Sequence, residues 1–515
     1  MKEFLPATAA GILCFSGRQE EMSELPKVDF SPISHLRRAV FRDPDKVSLA
    51  YPTGQLSAAQ SLDLVASLAQ YFVSEGVRAG DVVSLVCANH PLHLLAYGAC
   101  AWIGAIVNPI NVRLSAVEVA DLIERARPVL AFTDRADSAE WGRPTKVVPV
   151  TPTWRTWLEE QPKIDVEPVE CDEDRPAAII FTSGTTGIPK GPVLTHANLW
   201  WGWRNLREGF GYDRRDTLAV AVPLSHIGGF NGLTTDLFCS GGTVVIVPAF
   251  RPAELVQTLK HWHVNTMFAV PTMFKALCAQ GGFTRENLPD FRIPLIGGSP
   301  LDRDLALKMI EVGLTPIHVW GMTEAAATCT CLPQRLLATH PISAGRPFPY
   351  TRVEVRDQNN HVVKQAGIDG ELTITGPNVV TRWLRGGQIV REDRWLPTGD
   401  VGHWDEDGLI TIVGRSKEIV ISGGENIHPA EIDRALAGIS GLEDWCTVGV
   451  SDPKWGETLA VVAVPGKNPP SLEEIRAWAE KSIARFKLPR KLVLVSKIPL
   501  GPTGKHDRRA AAKLI

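Results

Sequence analysis

Short apolar runs rich in β-branched residues recur from about Pro26 to Ile412, each followed by turn residues and a longer amphipathic stretch. The runs at 82–86, 177–181, 218–222, 243–247 and 266–269 are the clearest. A strand covered on both faces reads as a continuous apolar run, and helical stretches between such strands supply the crossovers that parallel pairing needs. The pattern therefore predicts an α/β fold, with a large N-terminal domain of helix-wrapped β-sheets over 26–413. After Gly414 the rhythm changes to strand, strand, helix, strand, strand, helix, with helices at 429–436 and 472–483. This predicts a small α+β domain over 418–515, with the boundary to the body at about 413–417. The longest apolar run, 94–107, lies between His93 and Asn108. It is shorter than the roughly 20 residues a membrane helix requires, so a buried helix is expected and no membrane span. Residues 1–25 lack this pattern. Glu3 and Pro6 spoil them as a signal peptide, and a disordered leader is expected, with Met22 as an alternative start.

The 515 residues suffice for two to four domains at about 150 residues each. An apolar content of 44% with 22% charged residues is that of an ordinary globular chain. The net charge of −3 leaves no basic footprint for nucleic acid, so an anionic ligand has to be held by a local site. Nine cysteines are scattered without a Cys-x-x-Cys pair. Cys329 and Cys331 would share one face of a strand, and two ligands do not make a zinc site. Free thiols in a reducing cytoplasm follow.

The sharpest local signal is Phe181-Thr182-Ser183-Gly184-Thr185-Thr186-Gly187-Ile188-Pro189-Lys190-Gly191. A buried strand enters a loop of glycines and hydroxyls that closes on a lysine. Glycines allow tight turns, amides and hydroxyls donate to phosphate oxygens, and Lys190 adds positive charge. Read blandly, it is a Ser/Thr/Gly linker, but the apolar strand before it and the lysine after it favour a phosphate loop. Pro192 follows Gly191, so Gly-x-x-x-x-Gly-Lys-Ser/Thr is not satisfied and an ordinary P-loop NTPase is disfavoured.

This segment resembles the phosphate loop of the adenylate-forming superfamily, which includes acyl-CoA synthetases, luciferases and peptide-synthetase adenylation domains. Further segments resemble that superfamily's other motifs in order. They are Pro223-Leu224-Ser225-His226-Ile227-Gly228-Gly229, Gly297-Gly298-Ser299-Pro300, Trp320-Gly321-Met322-Thr323-Glu324, Thr398-Gly399-Asp400, Gly414-Arg415-Ser416-Lys417-Glu418 with the loop at 422–429, and Thr503-Gly504-Lys505. The resemblance covers nearly the whole chain from about Ser31. It is nearest to the aryl-CoA ligases of the chlorobenzoate type, through Phe250-Arg251-Pro252, the stretch 421–432 and Asp452-Pro453-Lys454-Trp455-Gly456.

The resemblance implies an AMP-forming acid–CoA ligase that uses ATP, Mg²⁺ and CoA as a monomer or homodimer. An acyl-adenylate forms with release of pyrophosphate, and the acyl group then passes to CoA. The alternative keeps adenylation and sends the acyl group to an amine or to a carrier-protein thiol. When a carboxylate attacks the α-phosphate two anions meet, so positive charge must be placed where charge builds up. By resemblance Lys505 bridges the carboxylate and the α-phosphate, and Glu324 holds Mg²⁺ with the Thr185 hydroxyl. Read alone, Glu324 is equally a first-turn glutamate at the head of a helix over 325–328. Asp400 takes the ribose hydroxyls and Arg415 the ribose or phosphate. Thr182, Ser183, Gly184, Thr186, Lys190, Gly298, Ser299 and Thr323 complete the ATP site, and Trp320 replaces the usual Tyr as the face that stacks on adenine.

The acid pocket implied by resemblance is lined by Trp203, His226, Ile227, Gly228, Phe268, Val270, Gly297, Val319, Gly321, Met322 and Ala326. Gly228, Gly297 and Gly321 carry no side chains, which suggests a deep pocket. No lysine or arginine falls among these positions, so an aromatic or medium-length apolar acid is expected rather than a dicarboxylate. By resemblance the CoA side falls to Gly423, Gly424, Trp455, Lys487 and Arg490, with Lys491 nearby, and the domain over 418–515 is mobile about a hinge at 414–417, with Lys417 as the hinge residue. Leu488 stands where those ligases carry a basic residue.

Overall fold

The computed structural model describes residues 28–515 apart from 142–145, 162–165, 183–188, 300, 393–394, 416–417, 419, 423–424, 453–455, 482, 484 and 502–503. The proposed leader, the phosphate-loop residues Ser183, Gly184, Thr185 and Thr186, the hinge residue Lys417, and Gly423, Gly424 and Trp455 therefore lie outside the described residues.

Two large sheets organise the body. In the first, the strands Lys146–Pro149, Leu130–Thr133, Val82–Val86, Ile106–Pro109 and Pro176–Ile179 run parallel, and Gly191–Thr195 continues the sheet antiparallel. In the second, Val47–Tyr51, Thr243–Ile246, Thr217–Val220, Thr266–Ala269, Ile293–Gly297 and Ile317–Trp320 are parallel neighbours. The expected strands at 82–86 and 266–269 coincide with the observed ones. Those expected at 177–181, 218–222 and 243–247 end earlier, at Ile179, Val220 and Ile246.

The apolar run 94–107 divides into two elements. A helix spans Leu92–Ile103, Gly104 ends it at φ 75°, and the β-branched pair that follows opens the strand Ile106–Pro109. All twelve helix residues are buried, which is why no polar stripe marks it. Each buried Leu there contributes roughly 1.5–3 kcal/mol. Gly98 lets it approach the helix Ala58–Ser74, since a Cβ there would meet the Val65 side chain at 2.9 Å.

The parallel pattern does not extend to the end of the body. A third, five-stranded sheet is wholly antiparallel, with Val362–Val363, Arg352–Arg356, Gly370–Thr375, Leu396–Trp404 and Ile410–Arg415 in spatial order. Its last strand passes through Val413 and Gly414 and pairs Arg415 with Asp400. The first two residues of the expected hinge thus belong to this sheet.

The C-terminal module packs Pro429–Ala435 and Leu472–Ala479 on a sheet built around the long hairpin Leu442–Asp452/Gly456–Pro465. It contains a strand the sequence pattern missed, Lys491–Leu494, parallel to the hairpin, and a last short helix, Arg508–Ala512. Arg434 fastens the module to the body by donating to the carbonyls of Ile412 and Val413 at 3.0 and 3.1 Å. Cys329 precedes its strand and is fully buried, whereas Cys331 is partly exposed, so the two do not form a matched pair. The described cysteines are free. Among the described residues no helix is long and apolar enough to cross a membrane.

Candidate active site

The motif segments beginning at Phe181, Pro223, Gly297 and Trp320 come at or just after the ends of parallel strands, the usual ligand position in open α/β sheets, whereas Asp400 and Arg415 pair within the antiparallel sheet. The phosphate loop is pinched at its neck. Thr182 N donates to Lys190 O at 2.9 Å and Lys190 N to Thr182 O at 3.0 Å, while Gly191 passes under the Phe181 ring. Lys190 is exposed beside this neck.

The strand Thr217–Val220 leads into the turn that carries His226. Asn89, which sequence reasoning missed, fixes this turn from the neighbouring sheet. Its amide donates to the carbonyls of Val222 and Val247 at 2.9 and 3.1 Å, and its oxygen accepts from Leu224 N at 2.8 Å. The signal available was an Asn three residues past the end of the buried strand Val82–Val86. Burial, with a smaller push from Lys505, drops the His226 pKa to about 4, so the ring is neutral at pH 7. A neutral imidazole walls the cleft without trapping an incoming carboxylate as an ion pair.

Trp320 ends the strand Ile317–Trp320, and a single 3₁₀ turn, Thr323–Ala325, presents Glu324. No helix follows over 325–328, so the helix-dipole reading of Glu324 does not hold. Glu324 is 7% exposed. Desolvation raises its carboxyl pKa, opposed by its own backbone N–H, Lys190 and Arg415. Asp400 is likewise buried and raised by desolvation, with Arg415, Trp320 and Lys505 pulling the other way. Its Oδ2 accepts from Trp320 Nε1 at 2.9 Å, and its Oδ1 pairs with Arg415 Nε at 2.6 Å. The indole expected to stack on adenine thus also binds the ribose-side carboxylate.

Lys505 comes from a tight turn in which Gly504 adopts φ 80° and Gly501 N donates to Lys505 O at 2.7 Å. Lys505 keeps an exposed surface, and desolvation, then Arg415, lower its pKa, while Asp400 and Glu418 raise it. Lys505 thus lies within electrostatic reach of His226, Asp400 and Arg415, and Glu324 within reach of Lys190, Arg415 and Asp400. Among the described residues no group of three or more His, Cys, Asp or Glu is placed to hold a metal alone. A magnesium ion suits Glu324 as one hard oxygen ligand, with phosphate oxygens supplying the rest.

The pocket glycines correct the sequence expectation. A Cβ on Gly321 would lie 2.0 Å from Ala327 O, one on Gly297 2.3 Å from Val319 O, and one on Gly228 2.5 Å from the Phe268 ring. Backbone and an aromatic ring fill those directions, so these glycines give close packing rather than depth. Trp203 is 3% exposed and directs its N–H to Asn231 and Thr235, and Ala326 packs under Gly202. Both support the site from behind and do not line a pocket. Ile227 and Val319 are buried as well, whereas His226, Phe268, Val270, Gly298, Ser299, Gly321 and Met322 keep some surface open.

On the CoA side, Lys487 Nζ is paired with Glu431 at 2.6 Å, inside the C-terminal module. Its charge is committed there, which weighs against its assignment to CoA. Leu488 is buried, and Arg490 extends the parallel strand by donating its N–H to Leu459 O at 2.9 Å.

In this fold a small C-terminal module brings Lys505 close to Asp400 and Arg415 of a larger α/β body. The chain belongs to the AMP-binding enzyme family, whose model matches residues 36–384, with the family's C-terminal domain matching 431–505. It is an AMP-forming acid ligase. It is 32% identical over 469 residues to a feruloyl-CoA synthase of Amycolatopsis sp, covering 90% of this chain and 94% of that one. It is 30% identical over 487 residues to the 2-succinylbenzoate–CoA ligase of Geobacillus kaustophilus, covering 93% and 97%. Its backbone is similar to that of o-succinylbenzoate CoA synthetase from Bacillus subtilis in complex with the acyl-adenylate intermediate OSB-AMP. That match has a TM-score of 0.84 at 25% identity and covers 92% of this chain and 97% of that one.

Proposed function

We propose that this chain activates an aromatic or medium-length apolar carboxylic acid with ATP and then passes the acyl group to CoA. The electrostatic reach of Lys505 to His226, Asp400 and Arg415 carries the reading. Asp400 and Trp320 hold the ribose end, and Arg415 and Lys190 supply charge toward the phosphates. Lys505 stands where carboxylate and α-phosphate would meet and neutralises the charge that develops as the new C(O)–O–P bond forms and pyrophosphate leaves. One preorganised group of this kind contributes about 2.7–4 kcal/mol to the barrier. Magnesium would offset the charge of the departing phosphates, held by Glu324 with Thr185 as a second oxygen.

Support for CoA as acceptor comes from the similar proteins, the feruloyl-CoA synthase and the succinylbenzoate–CoA ligase. Support for ATP and magnesium comes from the Bacillus subtilis enzyme, seen with both at a TM-score of 0.83. The apolar acid rests on the lining of Phe268, Val270 and Met322. We divide the chain into a body through Arg415 and a lid from Glu418, and place it in the cytoplasm as a monomer or homodimer. The test is a pyrophosphate-release screen across acids with CoA, an amine or no acceptor added. Thioester formed from an apolar acid supports the reading; an amide formed from the amine, with no thioester, replaces it by amide synthesis.

A further inference from the structure

Two consecutive alanines follow Ala325 in the left-handed region, Ala326 at φ 49° and Ala327 at φ 73°. Residues with a Cβ rarely adopt this backbone, and two in a row persist only where the surroundings over-determine them. The surroundings here are two asparagines, both fully buried. Asn378 Nδ2 donates to Ala325 O at 3.0 Å and to Thr328 O at 2.9 Å, the carbonyls on either side of the strained pair. Its Oδ1 accepts from Thr351 Oγ1 at 3.1 Å. Between them, the Ala326 carbonyl accepts from Asn231 Nδ2 at 3.2 Å. Asn231 is held in turn, its Oδ1 accepting from Trp203 Nε1 at 2.9 Å and Thr235 Oγ1 at 2.6 Å. Val380 N pins the Glu324 carbonyl at 2.8 Å.

The carbonyls of Ala325, Ala326 and Thr328 each face an amide N–H₂, which only asparagine or glutamine supplies in this form. Without the clamp the relaxed course for 325–328 is right-handed, continuing the 3₁₀ turn as helix. That course would rotate the Glu324 side chain away from the Lys190 and Arg415 side of the cleft.

We propose that Asn378 and Asn231 are positioning residues for adenylation: their amides hold 325–328 in a strained left-handed turn, and that turn aims the Glu324 carboxylate at the magnesium–phosphate site. The inference rests on the adenylation reading.

Asn378→Asp keeps the shape and turns a double donor into an acceptor facing two carbonyls. Single-turnover pyrophosphate release, titrated with Mg²⁺, should show half-saturation shifted up about tenfold and a rate down at least about tenfold, the usual size for groups that orient a metal ligand. Asn378→Ala should behave similarly, and adding Ala326→Gly with Ala327→Gly should recover much of its Mg²⁺ shift, because glycine takes the left-handed turn without a clamp. An unchanged Mg²⁺ requirement, or no recovery with the glycine pair, overturns the proposal. Should the Asn378 variants fail to fold, Thr351→Val removes the hydroxyl that donates both to Asn378 Oδ1 and to Thr328 O, loosening the same clamp, and carries the same readout, an Mg²⁺ shift supporting the proposal and its absence overturning it. If the parent chain releases no pyrophosphate with any acid, the functional reading fails instead. The turn is then decided by melting: the glycine pair alone should hold or raise Tm, and a fall of more than about 3 °C overturns the clamp.

Discussion

Trp320 Nε1 donates to Asp400 Oδ2 at 2.9 Å while Arg415 Nε holds Oδ1 at 2.6 Å, so two motifs far apart in sequence meet on one carboxylate. Trp320→Phe keeps an aromatic face and deletes the donor. A hydrogen bond to a charged group is worth about 1.5–3 kcal/mol, so KM for ATP is expected to rise about tenfold or more, with KM for the acid unchanged. Equal effects on both substrates would show that the indole serves packing alone.

Lys505→Ala is expected to lower adenylate formation by at least about 10²-fold, the size associated with losing one preorganised charge. Transfer from preformed acyl-adenylate to CoA should be largely spared. Because Lys505 depresses the His226 pKa, the same variant should move the His226 titration upward by NMR. A loss shared equally by both half-reactions would remove Lys505 from its role.

Gly321→Ala places a methyl group against the Ala327 carbonyl. Overpacking of this kind costs about 1–3 kcal/mol, so Tm should fall and adenylation weaken for every acid tested. A variant that is stable and merely prefers shorter acids would restore the reading of Gly321 as pocket space.

Acid stability follows from four histidines whose pKa is lowered by desolvation. His90 and His196 are lowered by burial to about 3, and His93 and His226 to about 4. Below the ordinary value of 6.5 the unfolded chain binds protons that the folded chain refuses, so stability is lost as pH falls from about 6.5 toward 4. Each such histidine contributes a slope of up to about 1.4 kcal/mol per pH unit. The raised carboxyls of Glu324 and Asp400 act oppositely at the acid end, where protonation relieves their burial. Denaturant melts at pH 7, 6 and 5 check this, and His226→Asn should flatten the slope by one proton's worth. An unchanged midpoint across that range would contradict the burial of these rings.

Local pattern was enough for the strands at 82–86 and 266–269 and for the motifs, because two-face burial and phosphate-loop chemistry write themselves into consecutive residues. It put the change of architecture after Gly414, whereas an antiparallel sheet already begins with the strands around Arg352–Arg356 and runs through Arg415. It could not divide 94–107 into helix and strand, since both are fully buried and equally apolar, and only Gly104 marks the join. It missed Lys491–Leu494, whose β character depends on a parallel partner far back in the chain.

The site divides in the same way. The chemistry proposed for Lys505, Glu324 and Asp400 was read from residue type and motif order alone. What a missing or bulky side chain faces is a property of neighbours. Only the tertiary structure showed that Gly321 meets the Ala327 carbonyl, that Trp203 supports Asn231 rather than a substrate, and that Lys487 is already paired with Glu431. Asn89 and Asn378 carry no motif signature, yet each ties backbone groups from separate elements. Their roles exist only once those elements are packed together.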